Sequence, residues 1–218
     1  MVKNERLLIF VDEANVTRAA SKNFNKNFDW LKFRNYLIQE TGLGRDLVEM
    51  VLYVGLPPST PEWQHKQSEK MKYVYWLKSQ GFLVYEKKGQ PRENNWYKAN
   101  VDVIMAIDAV ELTIRIKPDV VILVTGDADF AHLAYTIRRQ GVKVEVAAIP
   151  QIMAAELRIA ANKFIDLTDL FTTFDTFESA FDYGQQRDDE MNGNMATANG
   201  SASYVPSRDS RRWNGVRD

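Results

Sequence analysis

Short apolar runs alternate along this chain with stretches whose apolar residues recur at helical spacing, and this alternation constrains the fold most. The apolar runs lie at residues 7–11, 47–54, 82–85, 120–124, 142–148 and 164–167. Stretches with helical spacing lie at 28–39, 61–79, 101–116, 128–139 and 152–161. Strands without polar alternation, separated by helices, are typical of a parallel sheet covered on both faces. The pattern predicts a doubly wound α/β fold with a mainly parallel, Rossmann-like sheet.

Composition predicts one folded domain followed by a tail. The periodic pattern extends over residues 1–183, whereas residues 184–218 are rich in Gly, Asn, Ser and Arg and predict a flexible, low-complexity tail. The chain has no cysteine, which excludes disulfides and thiolate metal sites. No apolar run approaches the ~20 residues of a membrane span, so we expect a soluble cytoplasmic protein without membrane contact. The net charge of −1 indicates no ligand class by itself.

Acidic residues follow the predicted strands at the points where the strands end. Asp12 follows the first apolar run, Asp127 and Asp129 follow the fourth, and Asp102 opens the helix between them. In a doubly wound sheet, ligands bind beyond the carboxyl ends of the strands, so we expect these carboxylates to converge there. Because like charges repel at short range, a divalent cation is the simplest way to hold them together. Oxygen-only ligands favour Mg²⁺ or Mn²⁺.

Several of these residues also have an ordinary structural interpretation. Asp129 is as well suited to capping the following helix as to contacting a metal. Asn15 is a candidate site residue that could instead turn the chain. Asp108 lies six residues after Asp102, about 120° away around the helix, so the two cannot bind one ion through the same face. Asp108 is therefore a supporting residue, part of a second subsite, or a paired acid at the edge of the core.

A basic segment precedes the helix that begins near Asp102. Residues 64–98 contain eight Lys or Arg residues and three Glu residues, together with several aromatic side chains. The predicted loop at residues 86–98 offers cations for phosphates and aromatic rings for stacking on unpaired bases. Alternatively, the lysines form a solvated helix face and the aromatic rings pack the loop onto the core. The candidate RNA-binding residues are Lys87, Lys88, Arg92, Trp96, Tyr97 and Lys98.

Three motifs, IFVDEAN, NVDVIMAIDAVEL and LVTGDADFAHLAYTIRRQGVKVEV, resemble the NYN domain, a relative of the PIN-like nucleases, and within it the LabA-like group. The resemblance extends from about Arg6 to Leu170. It implies a parallel sheet of five to six strands, an acidic pocket that binds Mg²⁺ or Mn²⁺, and hydrolysis of RNA to 5′-phosphate and 3′-hydroxyl ends. Carried across residue by residue, it implies a metal site and its supporting residues as follows: Asp12, Asp102 and Asp127 as metal ligands, and Asn15, Asp108 and Asp129 in support.

Several positions depart from the usual family pattern. Before the helix acid, Lys98 is displaced by one place and Asn100 stands where Gly is usual, which puts a role for Lys98 in doubt. Thr125 stands where Ser is common and keeps the hydroxyl, and His132 stands where Pro is common. The principal acids are all present, so the resemblance favours an intact site.

Other functions are weighed against a ribonuclease. A haloacid-dehalogenase-type phosphatase needs a second Asp two places after the first, where this chain has Ala14. A dinucleotide-binding site needs a Gly-rich turn after the first strand, and none is present. The stronger alternative is a regulator of gene expression that binds RNA or a protein partner with little or no turnover. The sequence leaves self-association as a homodimer open.

Overall fold

The computed structural model describes residues 4–39, 44–92 and 96–176. The predicted tail at 184–218 lies outside the described residues, as do the last residues of the predicted domain, 177–183. None of the helices in the described ranges combines the length and the apolar character that crossing a bilayer requires.

Six parallel strands form the central sheet in the spatial order β3-β2-β1-β6-β7-β8. The strands of this sheet are β1 (Glu5–Asp12), β2 (Arg45–Leu56), β3 (Leu83–Lys88), β6 (Val120–Val124), β7 (Lys143–Ala148) and β8 (Lys163–Asp166). Strand β1 pairs with β2 on one side and with β6 on the other. The strand order reverses between β1 and β6, which is the ligand-binding crevice of a doubly wound sheet. The predicted fold class is confirmed.

Helices cover both faces of the sheet and divide the core into two clusters. On one face lie α1 (Glu13–Phe24), α2 (Trp30–Gln39), α3 (Gln64–Ser79) and α7 (Thr168–Thr172). On the other face lie α4 (Asp102–Ile116), α5 (Ala131–Arg138) and α6 (Ala155–Ala160). Alternate residues of β1 enter the two clusters: Leu7, Ile9 and Val11 enter the first, and Leu8 and Phe10 the second. This explains why the strand is a continuous apolar run.

The sequence pattern missed helix α1. The helix is amphipathic, but its buried apolar residues, Val16, Ala19 and Ala20, are small and form no apolar run. Its ends are also marked. The Asp12 side chain caps its N-terminus, and Asn25 ends it in the left-handed conformation at φ 53°. The amphipathic spacing and the capping residues were both signals that could have revealed this helix.

The predicted loop at 86–98 is partly regular structure. Strand β3 continues to Lys88, and two short antiparallel strands follow, β4 (Gln90–Arg92) and β5 (Trp96–Lys98). These two strands form a separate two-stranded sheet, the β4–β5 ribbon. The ribbon is polar and lies beside the switch point of the main sheet, so apolar periodicity could not reveal it.

Candidate active site

A cavity of about 430 Å³ lies at the carboxyl ends of β1 and β6. Asp12, Asp102 and Asp127 all line it, although they come from three separate segments of the chain. Asp12 ends β1, Asp102 begins α4, and Asp127 follows β6. The rest of the wall of this acidic cavity includes Asn15, Arg18, Lys70, Trp96, Tyr97 and Lys98. The fold therefore brings the three principal predicted acids to one place.

Asp12 is held in position by the start of helix α1. Its Oδ1 accepts a hydrogen bond from the Asn15 backbone N–H at 3.1 Å. The pKa of the Asp12 carboxyl is raised from 3.8 to about 6, mainly by burial and to a smaller extent by the charges of Asp102 and Glu13. The hydrogen bond from Asn15 and the charge of Arg18 act in the opposite direction. The fold thus holds a carboxylate where its negative charge is poorly solvated.

The loop after β6 is fixed by hydrogen bonds from three side chains. The Asp127 side chain accepts from the Asp129 backbone N–H at 3.0 Å. The buried Thr125 hydroxyl accepts from the Asp127 N–H at 3.2 Å. Asn15 Oδ1 accepts from the Gly126 N–H at 3.2 Å, which ties the start of α1 to the end of β6. Thr125 and Asn15 therefore support the cavity through the backbone of this loop.

Gly126 has no room for a side chain. A Cβ at this position would lie 2.3 Å from the carbonyl oxygen of Ile152. The Gly126 carbonyl accepts a hydrogen bond from the Ala154 N–H at 2.9 Å, so the loop and this neighbouring segment are in direct backbone contact. The close approach helps to fix the loop that carries Asp127.

Asp102 interacts electrostatically with both of the other acids. Burial raises the pKa of its carboxyl, and the charge of Asp127 raises it further, whereas Lys98 lowers it. Asp102 in turn raises the pKa of Asp12. Both pKa values are raised mainly by burial and in part by repulsion between neighbouring carboxylates, and a bound cation would favour the charged form of each.

The oxygen donors fit a hard divalent cation, but they are not gathered as a closed cage. Within the described residues, no group of three or more His, Asp or Glu side chains is arranged to hold a metal ion. A binding site for Mg²⁺ does not require such a cage, since this ion commonly keeps several waters and uses one or two carboxylates together with substrate phosphates. The donor set therefore suits an ion bound jointly by the cavity and its substrate.

Two of the predicted supporting acids lie elsewhere. Asp129 is exposed and borders a groove between α4 and α5, together with Ile107 and His132. Its charge still reaches Asp102, whose pKa it raises. Asp108 accepts a hydrogen bond from the Tyr53 hydroxyl at 3.0 Å. Of the roles considered from the sequence, this contact fits that of a paired acid at the edge of the core.

The predicted RNA-binding residues divide into two groups. Trp96, Tyr97 and Lys98 of the β4–β5 ribbon line the acidic cavity. Arg92 borders an open hollow next to it, together with Trp96 and Lys98. The other two lysines lie at the end of β3: Lys87 donates to the Asn100 carbonyl at 2.7 Å, and Lys88 is exposed.

Three residues of the acidic cavity were missed by sequence reasoning: Glu13, Arg18 and Lys70. Glu13 is 4% exposed and accepts hydrogen bonds from Lys70 Nζ at 2.8 Å and from the Tyr73 hydroxyl at 3.2 Å. Its signal was available, since a second acid directly after a buried run also needs a partner. Arg18 was missed because α1 was missed.

Replacing Asp12 by asparagine should stabilise the protein in metal-free buffer at about pH 7.5 by about 1–3 kcal/mol. Asparagine caps helices as well as aspartate does and carries no charge. Because burial raises the pKa of Asp12 to about 6, the folded state binds this proton more tightly than the unfolded chain. The resulting stability is present below pH 3.8 and is lost as the pH rises through about 6.

Urea denaturation with EDTA, followed by tryptophan fluorescence at about pH 7.5 and about pH 4.5, measures this difference. The difference in the free energy of unfolding between the variant and wild type should be smaller at the lower pH. Asp166→Asn is the control, because Asp166 is an exposed strand-end acid whose side chain accepts from the Thr168 N–H. An Asp12→Asn protein less stable than wild type at the higher pH would contradict the expectation.

Comparisons with known proteins agree with the geometry. A family model described as NYN domain matches residues 6–168 of this chain. Low amplitude and bright protein LabA from Synechococcus elongatus is 28% identical over 171 residues, which cover 76% of this chain and 85% of that protein. A crystal structure of a protein of unknown function from Vibrio parahaemolyticus, VPA0982, has a TM-score of 0.61 and 27% identity. That match covers 78% of this chain and 98% of the other. The resemblance expected from the three motifs is confirmed.

Proposed function

This chain belongs to the NYN domain family, and we propose that it is a ribonuclease that hydrolyses RNA phosphodiester bonds with Mg²⁺ or Mn²⁺. The family is nuclease-like, which supports an RNA-related role. The single observation that carries the proposal is the meeting of Asp12, Asp102 and Asp127 in one cavity at the point where strand order reverses. The pKa values of Asp12 and Asp102 are raised, which indicates that their ionised forms destabilise the folded protein. Such groups are common at functional sites, where a bound ligand compensates the charge.

Asp12, Asp102 and Asp127 would hold the ion. When bound, a divalent cation lowers the pKa of a coordinated water and offsets charge on the phosphoryl oxygens. The side chains around these acids supply the rest of the site. Asn15 and Thr125 fix the loop that carries Asp127. Asp129, whose charge acts on Asp102, is the candidate to accept a proton from the attacking water, and the Asp108 carboxylate supports α4 through Tyr53.

The β4–β5 ribbon supports RNA as the substrate. Trp96 is 52% exposed at the mouth of the acidic cavity, and the Arg18 guanidinium lies 5.7 Å from its ring centre. The exposed indole can stack on a base, and the neighbouring cations can contact the phosphate of the same nucleotide. Only an unpaired base offers its face in this way, so we propose single-stranded RNA as the preferred form.

Replacing Trp96 by alanine should weaken RNA binding in EDTA by about tenfold, because one base–aromatic stack contributes about 1–3 kcal/mol. Adding Tyr97→Ala should weaken it further, since Tyr97 also packs edge-on against Trp63 at 5.3 Å and supports the ribbon. Fluorescence anisotropy with labelled single-stranded RNA measures the affinity. Metal affinity, followed by Mn²⁺ titration, should not change.

Tyr135→Ala is the matched control, since this aromatic residue is 42% exposed on α5, away from the ribbon. Equal RNA affinity for wild type and the Trp96→Ala Tyr97→Ala protein would remove the ribbon from the proposed binding surface.

The proposed function is tested with purified full-length protein and short single-stranded RNA. We expect cleavage with Mn²⁺ or Mg²⁺ and none with EDTA, and restored cleavage when excess metal is added back. Product ends with a 5′-phosphate would agree with the family chemistry. If the protein bound RNA but did not cleave it with either metal, the proposed ribonuclease function would be contradicted.

A regulatory function is the second candidate. It is favoured by the absence, among the described residues, of a preformed three-acid metal group. The similarity to LabA points the same way, because LabA-like proteins are associated with control of gene expression. In this case the same cavity and ribbon would bind RNA or a protein partner without turnover. The cleavage assay separates the two functions.

A further inference from the structure

A second cavity of about 660 Å³ adjoins the acidic cavity. The two have five lining residues in common: Glu13, Thr17, Arg18, Lys70 and Tyr97. The second cavity is formed mainly by residues of α1 and α3, and we call it the α1–α3 cavity. Its volume falls in the range of about 300–1,000 Å³ that is usual for ligand sites. Whatever occupies the acidic cavity can therefore extend into it.

The rim of the α1–α3 cavity carries cations that are available to a ligand. Arg18 and Lys66 both line it. Neither makes an ion pair with a carboxylate within the described residues; each lies instead over an aromatic ring. Arg18 lies over Trp96, and Lys66 Nζ is 4.8 Å from the ring centre of Trp63. By contrast, Lys70 is occupied by Glu13, which it contacts at 2.8 Å. Arg18 and Lys66 are therefore the side chains free to contact phosphate.

The wall of the same cavity is aromatic and rigid. Phe28, Trp30, Tyr73 and Tyr97 contribute to it. Trp30 is 1% exposed and only supports this wall, since its indole N–H donates to the Tyr73 hydroxyl at 2.8 Å. Phe28, Tyr73 and Tyr97 are half-buried, so they are the rings that a base can contact. The Phe28 and Trp30 rings are packed with centres 4.5 Å apart. A cationic rim above an aromatic wall is the arrangement that binds a base and its phosphate without selecting a sequence.

We propose that the α1–α3 cavity binds the nucleotide next to the scissile phosphate of a single-stranded RNA. The base lies against the aromatic wall, and Arg18 and Lys66 contact the flanking phosphates. This inference rests on the proposed ribonuclease function and extends it, because it assigns a second binding region beside the acidic cavity. Tyr97 of the ribbon and Arg18 of α1 line both cavities, so a bound strand can contact the two cavities together.

The test measures binding in EDTA, where no cleavage occurs, with a fluorescein-labelled oligoadenylate of about 12 nucleotides. Three full-length variants probe the cavity: Arg18→Ala, Lys66→Ala and Ser21→Trp. Ser21 lines the α1–α3 cavity, and a tryptophan there fills it without removing a charge. Lys22→Ala is the control, since Lys22 is exposed on helix α1 and lines neither cavity. Circular dichroism confirms that each variant is folded.

We expect each of the three variants to bind RNA about five- to tenfold more weakly and the Lys22→Ala protein to bind as wild type does. Salt dependence separates the two kinds of contact. Arg18→Ala and Lys66→Ala should each reduce the slope of log K against log salt by about 0.7, the value for one phosphate contact on a single strand. Ser21→Trp should weaken binding and leave the slope unchanged.

Wild-type affinity in all three variants, with normal metal-dependent cleavage, would overturn the proposed nucleotide site and leave the ribonuclease in place. A wild-type protein that neither binds nor cuts RNA would overturn both. Competition with AMP provides a further check. If AMP displaced the oligonucleotide with a dissociation constant as low as that of the oligonucleotide itself, the inference would be overturned, because the cavity would then bind a free nucleotide and not a strand.

Discussion

Asp127→Asn should lower metal-dependent RNA cleavage by about a thousandfold or more, equivalent to about 4 kcal/mol of transition-state stabilisation. Asparagine removes one anionic oxygen from the acidic cavity. It keeps an oxygen that can accept the 3.0 Å hydrogen bond from the Asp129 N–H, so the turn after β6 should persist. RNA affinity in EDTA should stay within about twofold of wild type, because the contacts proposed for RNA are on other side chains.

Asp166→Asn provides the matched control for this variant. Both aspartates follow or end a parallel strand and accept from the N–H two residues later, at 3.0 Å for Asp127 and 2.9 Å for Asp166. Only Asp127 lines the acidic cavity. Initial cleavage rates are measured with equal amounts of each protein. The Asp166→Asn protein should cleave RNA at the wild-type rate, and the Asp127→Asn protein should show the full loss. Undiminished cleavage in the Asp127→Asn protein would show that a contaminating nuclease is responsible.

Arg45→Met should destabilise the fold by about 3–5 kcal/mol. Arg45 of β2 reaches Glu145 of β7 and donates two hydrogen bonds to its carboxylate, at 2.8 and 3.1 Å. Their side chains are only 1% and 6% exposed. Removing the arginine leaves a buried carboxylate without its partner, and that uncompensated charge is the main cost.

Urea denaturation at neutral pH measures the loss. The double variant Arg45→Met Glu145→Met should recover most of it, because both charges of the buried pair are then removed. Glu5, which lies 3.6 Å from Arg45 Nε, keeps Lys143 at 2.8 Å in this variant. Arg115→Met is the surface control: Arg115 contacts Glu111 at 2.8 Å, but 73% of its side chain is exposed, so no measurable change is expected. A single Arg45→Met variant as stable as wild type would show that solvent reaches this pair.

The fold was predictable because its strands differ from its helices in a simple way. A strand such as β6, Val120–Val124, is buried at every residue, and the run of five apolar residues marks both its limits and its central place in the sheet. Helix α1 was overlooked although its pattern is amphipathic, since its buried face consists of the small residues Val16, Ala19 and Ala20 together with Glu13 and contains no large apolar side chain. Its contribution to stability comes from tertiary packing and capping, which a hydrophobic pattern does not record.

The placement of the principal candidate acids was predictable where topology determines it. Asp12 and Asp127 lie at the ends of the paired strands β1 and β6 and must therefore share an edge of the sheet, where they line one cavity with Asp102 of α4. The contacts of Asp108 with Tyr53, and of Glu13 with Lys70, depend on side chains that are 55 and 57 residues away. No spacing rule along the chain indicates such pairs, so the residues around the acids emerged only from the three-dimensional packing.

The β4–β5 ribbon forms its own small sheet, separate from the six strands that fix the acids. Its backbone can therefore change in length or sequence without breaking a ladder of the main sheet. The ribbon that we propose to bind RNA can thus vary among family members while the candidate metal-binding acids keep their places. Exchanging ribbons between family members would show whether this small sheet sets the preference for a ligand.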